Sequence, residues 1–448
     1  MKKTVKRFMT AALSIIMVLS VAPLAIAGEY VVQKGDNLSK IAPKYNTTWR
    51  NLAEINKLTN PNLIFPNQIL KVPDLEIQKP VASVAPIAPE IVETVGLLSL
   101  DVADITLNNN ITPVFSQDIT EYTMNVQSDI YGVKVFPVAS EGAIVTVNGE
   151  TVEGTDGIVV PLLQTSEYYG VDYSLDIEIF VTVEEEVFAY NIEIIRENAA
   201  DTYALFEKKA YEDALTGLTL PYLIYVPTNY DETKEYPVVF ALHGSGQRGQ
   251  TSDMVLKRYE MATIWAKDSE AGINECIVIA PHCATSVDTE NWTTLMLYRD
   301  DLADNSFGLM DWSVAAYSLL EDVVKEYAVD ENKIYMTGLS AGGFATYSIA
   351  IEHPDTFAAL LPVCGGADPS KVEVLKGIPI WILHAEDDPT VNVEEYLHPT
   401  LEALYAAGID YKLTLYAAGE VFHPSAHFSW TPAYADKEVR DWLFAQSK

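Results

Sequence analysis

The stretch Lys333–Tyr347 reads KIYMTGLSAGGFATY. Its first half is apolar and favours a strand, whereas Ala341–Glu352 has the composition of a helix. The strand must therefore become a helix within about three residues around Ser340. Gly338 and Gly342 flank this turn, where a β-carbon would collide with the neighbouring backbone. The pattern G-x-S-x-G between a strand and a helix is typical of a sharp turn that exposes a serine hydroxyl.

The composition limits the classes of partner. The chain has 448 residues, of which 49% are hydrophobic and 21% charged, so it can form more than one globular domain. Its 63 acidic residues against 29 lysines and arginines give a formal net charge of −34. This charge argues against nucleic acid or an anionic membrane as the main partner.

The cysteine content does not predict a disulfide scaffold. The chain has three cysteines, Cys276, Cys283 and Cys364, and their spacing matches no metal site. A bridge between Cys283 and Cys364 stays open as an alternative. We expect no metal and no cofactor.

Residues 1–27 have the pattern of a signal peptide. The basic start MKKTVKR precedes an apolar stretch, and Ala25-Ile26-Ala27 fits the small-residue cleavage rule. We therefore expect cleavage after Ala27, and a mature protein that is secreted or associated with the cell wall. After cleavage no transmembrane segment is expected, because no later stretch is long and apolar enough to span a bilayer.

Residues 28–74 read as a strand, two helices and a strand. The segments GDNLSKIA and NPNLIFPNQILKVP, with Asn56 at the end of the second helix, resemble a small βααβ LysM module. That family binds N-acetylglucosamine polymers, which here implies peptidoglycan or chitin as the partner. The alternative is a degenerate module that serves only as a spacer. The family groove falls on Gly35, Asp36, Asn37, Leu38, Asn62, Leu63 and Ile64.

A proline-rich linker at residues 75–94 precedes a strand-rich region at residues 95–198. SLDIEIFVTV and VFAYNIEII alternate apolar and polar residues, and Asn148-Gly149 predicts a hairpin turn. Short strands without a helical stretch predict an all-β, immunoglobulin-like sandwich. The order of segments from LLSLDVADITL to YNIEIIRE resembles a cadherin-like sandwich. We expect it to act as a spacer or as an interaction module.

Residues 200–448 alternate apolar strands with helices, one of them expected near Met254–Ala266. This alternation predicts a mostly parallel, doubly wound sheet. A nucleophilic serine needs a base, and the base needs an acid, in the order serine, acid, histidine at the carboxyl ends of such strands. The chain offers a carboxylate cluster after IPIWIL, and then His423 and His427 after the last predicted strand.

The ordered motifs PVVFALHGSGQRG, APHC, GLSAGGF, HAEDDPTV and HFSW resemble those of α/β-hydrolase esterases. The nearest group is the secreted carboxylesterases, including feruloyl and acetyl esterases, that share a fold with dienelactone hydrolase. The resemblance implies that Ser340 is the nucleophile, Asp388 the acid and His427 the base. An α/β-hydrolase domain over residues 200–448 is therefore expected.

Two positions of this assignment have rivals. The family's H-G-x-x-D-x-x-V motif reads HAEDDPTV here, with Ala385 in place of the glycine, and Asp387 stays open as the acid. His423 stays open as the base. The backbone N–H groups expected to stabilise the oxyanion belong to Ala341, Ser245 and Gly246.

The leading interpretation is an exported serine ester hydrolase held near a cell wall. Its expected substrates are acetyl, feruloyl or other short acyl esters of polysaccharide. One alternative is a serine peptidase related to the prolyl oligopeptidases, which share the same order of residues. A non-enzymatic wall-binding protein with a silent hydrolase domain is the other.

Overall fold

The computed structural model describes residues 26–32, 41–45, 52, 55–57, 69–73, 95–106, 111–128, 130–154, 156–162, 174–285, 292 and 309–448. The chain divides into two compact units, Met1–Val84 and Ala85–Lys448. The predicted signal peptide as far as residue 25 and the linker at 75–94 lie outside the described residues. So do all residues of the predicted carbohydrate groove: Gly35, Asp36, Asn37, Leu38, Asn62, Leu63 and Ile64.

The first unit contains an antiparallel pair of strands, β1 (Ile26–Val31) and β2 (Ile69–Pro73), and a 3-10 helix at Ala42–Tyr45. The side chain of Asn56 donates to the Lys71 carbonyl at 2.8 Å and accepts from the Lys71 N–H at 2.6 Å. These two bonds fasten Asn56 to β2. The apolar core of this unit consists of Val32, Ile41, Leu52, Leu70 and Val72.

The second unit begins with a β-sandwich. Its strands are β3 (Leu97–Asp104), β4 (Ile111–Thr112), β5 (Glu121–Val126), β6 (Gly132–Ala139), β7 (Ile144–Val147), β8 (Glu150–Thr151), β9 (Ile158–Pro161), β10 (Ser174–Val183) and β11 (Glu186–Arg196). They form a three-stranded sheet, β3-β6-β9, and a six-stranded sheet, β4-β5-β11-β10-β7-β8. Val102 and Val135 of the first sheet and Ile179 and Ile192 of the second share one apolar core.

The predicted hairpin turn between β7 and β8 is confirmed. Asn148 and Gly149 both have positive φ, 48° and 82°, and the flanking residues Val147 and Glu150 pair directly. Positive φ at both central residues is the geometry that Asn-Gly favours, because it matches the twist of the strands.

The rest of the second unit contains an eight-stranded sheet. Its strands are β12 (Glu207–Glu212), β13 (Thr219–Tyr225), β14 (Tyr236–Leu242), β15 (Ile277–Pro281), β16 (Val329–Leu339), β17 (Ala359–Val363), β18 (Trp381–Ala385) and β19 (Lys412–Tyr416). The order is β12-β13-β15-β14-β16-β17-β18-β19, and all pairs among β14 to β19 are parallel. The predicted mostly parallel sheet is confirmed.

Helices cover both faces of this sheet. They are α1 (Ala200–Tyr203), α2 (Met254–Lys257), α3 (Thr263–Glu270), α4 (Asp311–Glu326), α5 (Ala341–Glu352), α6 (His398–Ala406), α7 (Trp430–Ala435) and α8 (Lys437–Phe444). Alternate residues of β14 enter different cores, Phe240 on one face and Val239 on the other. Within the described ranges, no helix has the length and apolar character needed to cross a membrane.

The helix predicted near Met254–Ala266 is wrong in one respect, because the structure divides it into α2 and α3. The intervening residues make tertiary hydrogen bonds instead. The Arg258 carbonyl accepts from the Tyr131 hydroxyl at 2.6 Å, and the Glu260 carboxylate accepts from Ser128 at 2.9 Å. Both donors belong to the β-sandwich.

The turn from β16 to α5 is closely packed. A β-carbon on Gly342 would lie 2.0 Å from the Leu242 carbonyl oxygen, and one on Gly338 would lie 2.3 Å from the Gly342 carbonyl oxygen. Both distances are to backbone atoms, which cannot rotate away. The glycines therefore allow α5 to start directly against β14 and β16.

Gly342→Ala is expected to lower the free energy of unfolding by about 2 kcal/mol or more, because the added methyl group must displace backbone. Urea denaturation of the second-unit transition measures this. Leu215→Ala is the control, since Leu215 is 79% exposed and its truncation should have little effect. An unchanged midpoint for Gly342→Ala would contradict the packing described for this turn.

Candidate active site

Ser340 occupies the turn between β16 and α5 in a strained backbone conformation. Its φ and ψ are 54° and −118°, in a region that non-glycine residues rarely adopt. Its N–H lies 3.0 Å from the Val363 carbonyl oxygen and 3.3 Å from the Cys364 Sγ. Ser340 is 6% exposed. The end of the neighbouring strand β17 thus fixes the position of the turn by hydrogen bonding.

The structure brings Ser340, His427 and Asp388 into one hydrogen-bonded chain. His427 Nε2 lies 3.0 Å from Ser340 Oγ, and His427 Nδ1 lies 2.7 Å from Asp388 Oδ2. The other carboxylate oxygen of Asp388 accepts from the N–H groups of Thr390 and Val391, at 2.8 and 2.9 Å. In the neutral ring, Nδ1 donates to Asp388 and Nε2 carries the lone pair that faces the serine hydroxyl.

The rival residues make other contacts. Asp387 is exposed, and its carboxylate accepts from the Gly419 N–H at 2.9 Å. The ring of His423 lies against Gly132 of the sandwich, where a β-carbon would come within 2.7 Å of its Cδ2 atom. The hydrogen bonds that start at Ser340 therefore lead to His427 and Asp388, and not to His423 or Asp387.

The surroundings of His427 and Asp388 determine their charges. Burial alone would lower the pKa of His427, but neighbouring Cys364 and the Asp388 carboxylate outweigh it and hold that pKa above the usual 6.5. Burial alone would raise the pKa of Asp388, but its bond from His427 and its two backbone N–H donors lower it. Asp388 is therefore a carboxylate that favours the protonated imidazole.

The predicted oxyanion residues lie on both sides of Ser340. Ala341 is the first residue of α5, where backbone N–H groups have no partner within the helix. On the other side, a β-carbon on Gly244 would lie 3.3 Å from the Ser340 Cβ. A 3-10 turn, Ser245–Gln247, follows directly and contains Gly246. The loop of Ser245 and Gly246 therefore starts beside the serine.

His243 holds this loop in place. Its Nδ1 donates to the Gly244 carbonyl at 2.7 Å, and its Nε2 accepts from the Cys283 N–H at 3.0 Å. Burial, together with neighbouring His282, lowers the pKa of His243 to about 3. The ring is thus neutral, as the acceptor role of Nε2 requires.

Cys364 is a residue of the site that the sequence reasoning missed. It is buried with a φ of 41°, and its Sγ lies close to both the Ser340 N–H and His427. The sequence contained a signal for this position. Cys364 directly follows the apolar strand β17, and the carboxyl ends of parallel strands border the site. Cys276, Cys283 and Cys364 form no disulfide in the structure, so the possible Cys283–Cys364 bridge is absent.

Cys364, Asp388 and His427 place possible metal-ligating atoms within 4.8 Å of one another. A soft divalent cation such as Zn²⁺ accepts this donor set. In the structure, however, both imidazole nitrogens are engaged, one with Asp388 and the other with Ser340.

The raised pKa of His427 predicts that its ring is still a positively charged imidazolium above pH 6.5. In a histidine NMR titration we expect a midpoint above 6.5 for His427, and a lower midpoint in Asp388→Asn, which removes the carboxylate charge. His243, with a pKa of about 3, serves as the internal control and should stay neutral between about pH 5 and 9. A His427 midpoint below 6.5 in the wild type would contradict this account.

Comparison with protein families gives three matches along the chain. A LysM domain matches residues 30–73 and a cadherin-like β-sandwich domain matches residues 99–197. The prolyl oligopeptidase family matches residues 316–403, which include Ser340 and Asp388.

Known esterases are among the similar proteins. A solved structure of a thermostable esterase has a TM-score of 0.52 and 27% identity, and the match covers 73% of this chain and 99% of that one. A probable feruloyl esterase C of Aspergillus terreus is 26% identical over 145 residues, which is 32% of this chain and 46% of that protein. A bifunctional acetylxylan esterase/xylanase of Neocallimastix patriciarum is 26% identical over 77 residues, which is 17% of this chain and 12% of that protein.

The chain spans less than half the length of these two curated relatives. The solved esterase, by contrast, is matched over nearly all of its length. The chain therefore carries a LysM domain and a cadherin-like β-sandwich domain, followed by an α/β-hydrolase domain with the fold of a known esterase.

Proposed function

We propose that this protein is a serine carboxylesterase in which Ser340 is the nucleophile, His427 the base and Asp388 the orienting acid. The observation that supports it most is the unbroken hydrogen-bonded chain, 3.0 Å from Ser340 to His427 and 2.7 Å from His427 to Asp388. It starts at a strained strand-to-helix turn, as nucleophilic serines of α/β-hydrolases do.

In the first half of the proposed reaction, Ser340 Oγ forms a bond to the ester carbonyl carbon while His427 Nε2 takes the hydroxyl proton. The tetrahedral intermediate then collapses, and the bond from the carbonyl carbon to the alcohol oxygen breaks. The imidazolium gives its proton to that oxygen. The alcohol leaves and the acyl group stays on Ser340. Asp388 stabilises the imidazolium throughout.

In the second half, water replaces the alcohol. His427 takes a proton from the water as its oxygen bonds to the acyl carbon, and the bond to Ser340 Oγ then breaks. The proton returns to Ser340 and the carboxylic acid is released. In both halves the negative oxygen would be stabilised by the N–H of Ala341, at the amino terminus of α5, and by the N–H groups of Ser245 and Gly246.

The proposed substrates are acetyl, feruloyl or other short acyl esters of polysaccharide. Two relatives support this class, the probable feruloyl esterase and the bifunctional acetylxylan esterase/xylanase. The LysM domain would hold the enzyme at an N-acetylglucosamine polymer such as peptidoglycan, through residues 35–38 and 62–64. Export through the signal peptide at residues 1–27 would bring it to the cell wall.

Ser340→Ala is expected to lower the rate on p-nitrophenyl acetate and methyl ferulate by at least about 10³-fold, because the Ser340 hydroxyl is the nucleophile of the proposed mechanism. Ser348→Ala, eight residues after Ser340 and within α5, is the matched control and should retain the wild-type rate. The ratio of the two ester rates in the wild type identifies the preferred acyl group. An active Ser340→Ala variant, or an inactive wild type, would overturn the proposal.

A second candidate is a serine peptidase, which the prolyl oligopeptidase match over residues 316–403 favours. The same residues would attack an amide instead of an ester. A chromogenic proline-containing peptide assayed beside the two esters separates the candidates. Cleavage of the peptide alone, abolished in Ser340→Ala, would replace the esterase proposal with this one.

Wall attachment has its own test. The double variant Asn62→Ala, Ile64→Ala is expected to weaken retention on insoluble peptidoglycan or chitin about tenfold, equivalent to about 1.4 kcal/mol. Its rate on p-nitrophenyl acetate should equal that of the wild type, because the LysM unit and the hydrolase belong to separate units. Equal retention of both proteins would count against a binding role for Asn62 and Ile64.

A further inference from the structure

The β-sandwich contacts the part of the hydrolase that carries His427. Tyr131, which directly precedes β6, is only 8% exposed because the hydrolase covers it. Its ring packs edge-to-face on Phe428, with centroids 6.0 Å apart, and its hydroxyl donates to the Arg258 carbonyl at 2.6 Å. One sandwich side chain therefore contacts two separate segments of the hydrolase.

The first of these segments leads to the base. Phe428 is the neighbour of His427 in sequence, and its ring centroid lies 4.5 Å from that of Trp430. Trp430 in turn packs edge-to-face on the His427 imidazole, with centroids 5.1 Å apart. Tyr259 contacts both Phe428 and Trp430, at 5.8 and 4.8 Å. A continuous set of packed rings thus joins Tyr131 to the imidazole.

The second segment leads to the proposed oxyanion loop. The Arg258 carbonyl accepts from Tyr131, and the Arg258 guanidinium donates to the Gly246 carbonyl at 2.7 Å. A displacement of Tyr131 would therefore also displace Gly246, because Arg258 is hydrogen-bonded to both residues. Tyr131 is therefore linked both to the segment of the proposed base and, through Arg258, to the loop of the proposed oxyanion donors.

The sandwich holds the base segment at further points. Gly132 leaves space for the His423 ring, since a β-carbon there would lie 2.7 Å from His423 Cδ2. Val421, and Ala385 at the end of β18, are members of the sandwich's own apolar core. The base segment is therefore packed against the sandwich from Val421 to Phe428.

Polar bonds fix the sandwich in this position. Ser128 donates to the Glu260 carboxylate at 2.9 Å, and its carbonyl accepts from Arg196 at 2.8 Å. Lys267 bridges Glu260 of the hydrolase and Glu197 at the end of the sandwich, at 2.5 and 3.0 Å. Lys267 and Glu260 are largely shielded from water, so this contact is screened less than a surface ion pair.

We propose that the β-sandwich is part of the catalytic unit and that Tyr131 is a positioning residue for His427 and for the loop of Gly246. The proposal rests on the esterase function proposed above. Its physical basis is that catalysis depends steeply on geometry, so that a displacement of about 1 Å in a catalytic group can cost about 10²-fold in rate. A spacer would have no such effect on the chemical step.

The test compares Tyr131→Ala, Tyr131→Phe and Gly132→Ala in the full-length protein. With p-nitrophenyl acetate, Tyr131→Ala is expected to lower kcat by about 10- to 100-fold and to change KM by less than about 3-fold, because positioning is lost and binding is not. Tyr131→Phe keeps the ring and should recover most of kcat. Gly132→Ala pushes on His423 and should lower kcat without removing any side chain.

Tyr122→Phe is the matched control. Tyr122 is a buried sandwich tyrosine whose hydroxyl bonds inside the sandwich, to the carbonyls of Ser116 and Ile119 at 2.8 Å. Its loss should destabilise the sandwich and leave kcat unchanged. Wild-type kcat in Tyr131→Ala, or an equal loss of kcat in Tyr122→Phe at equal thermal stability, would overturn the proposal.

An NMR measurement separates this proposal from the esterase function itself. His427 Nδ1 lies 2.7 Å from Asp388 Oδ2, and the proton between them should give a low-field signal in the wild type. Tyr131→Ala should shift or broaden it, while Tyr122→Phe should not. If the wild type hydrolyses no ester, the proposed function fails, and the response of this signal still decides whether Tyr131 positions His427. An unchanged signal in Tyr131→Ala would refute that role.

Discussion

The absence of side chains at Gly338 and Gly342 is the constraint on which the rest of the hydrolase depends. Each glycine lies against backbone atoms, at distances where no β-carbon fits. Because of this close contact, α5 starts directly beside β14 and β16, and its first N–H groups point to the same edge of the sheet as Ser340. The strained φ of 54° at Ser340 persists because the bond to Val363 and the start of α5 fix both sides of it.

Ser340 and Asp388 come from the sheet, whereas His427 comes from a segment after the last strand. Ser340 and Asp388 follow buried strands with backbone partners on both sides, so their positions are set by the sheet register. The His427 segment contains only a 3-10 turn, Ala426–Phe428, and has no strand to hold it. Its position is therefore determined by side-chain packing, and Tyr131 provides part of that packing from another domain. This difference explains why an additional domain can affect the position of His427, the proposed base.

Much of the fold was predictable because its signals are local. The alternation in β10 and β11, the Asn-Gly turn and the apolar runs of the parallel strands each reflect a periodicity within a few residues. The strand ends also indicated a serine followed by a carboxylate cluster, and the resemblance to esterases then implied Asp388 within that cluster. What could not be predicted depends on contacts between distant segments. The break between α2 and α3 is caused by bonds to the sandwich, and Tyr131 meets Phe428 across nearly three hundred residues.

The interface between the sandwich and the hydrolase domain also affects how the protein can be engineered. A family boundary near residue 197 invites separation of the two domains, and the excised hydrolase would then expose Val421 and Phe428 to water. Such an apolar surface favours aggregation. A chimera that fuses this hydrolase to another binding module should therefore keep the sandwich and place the junction in the predicted linker before residue 95. For modular design, the sandwich and the hydrolase form one cassette.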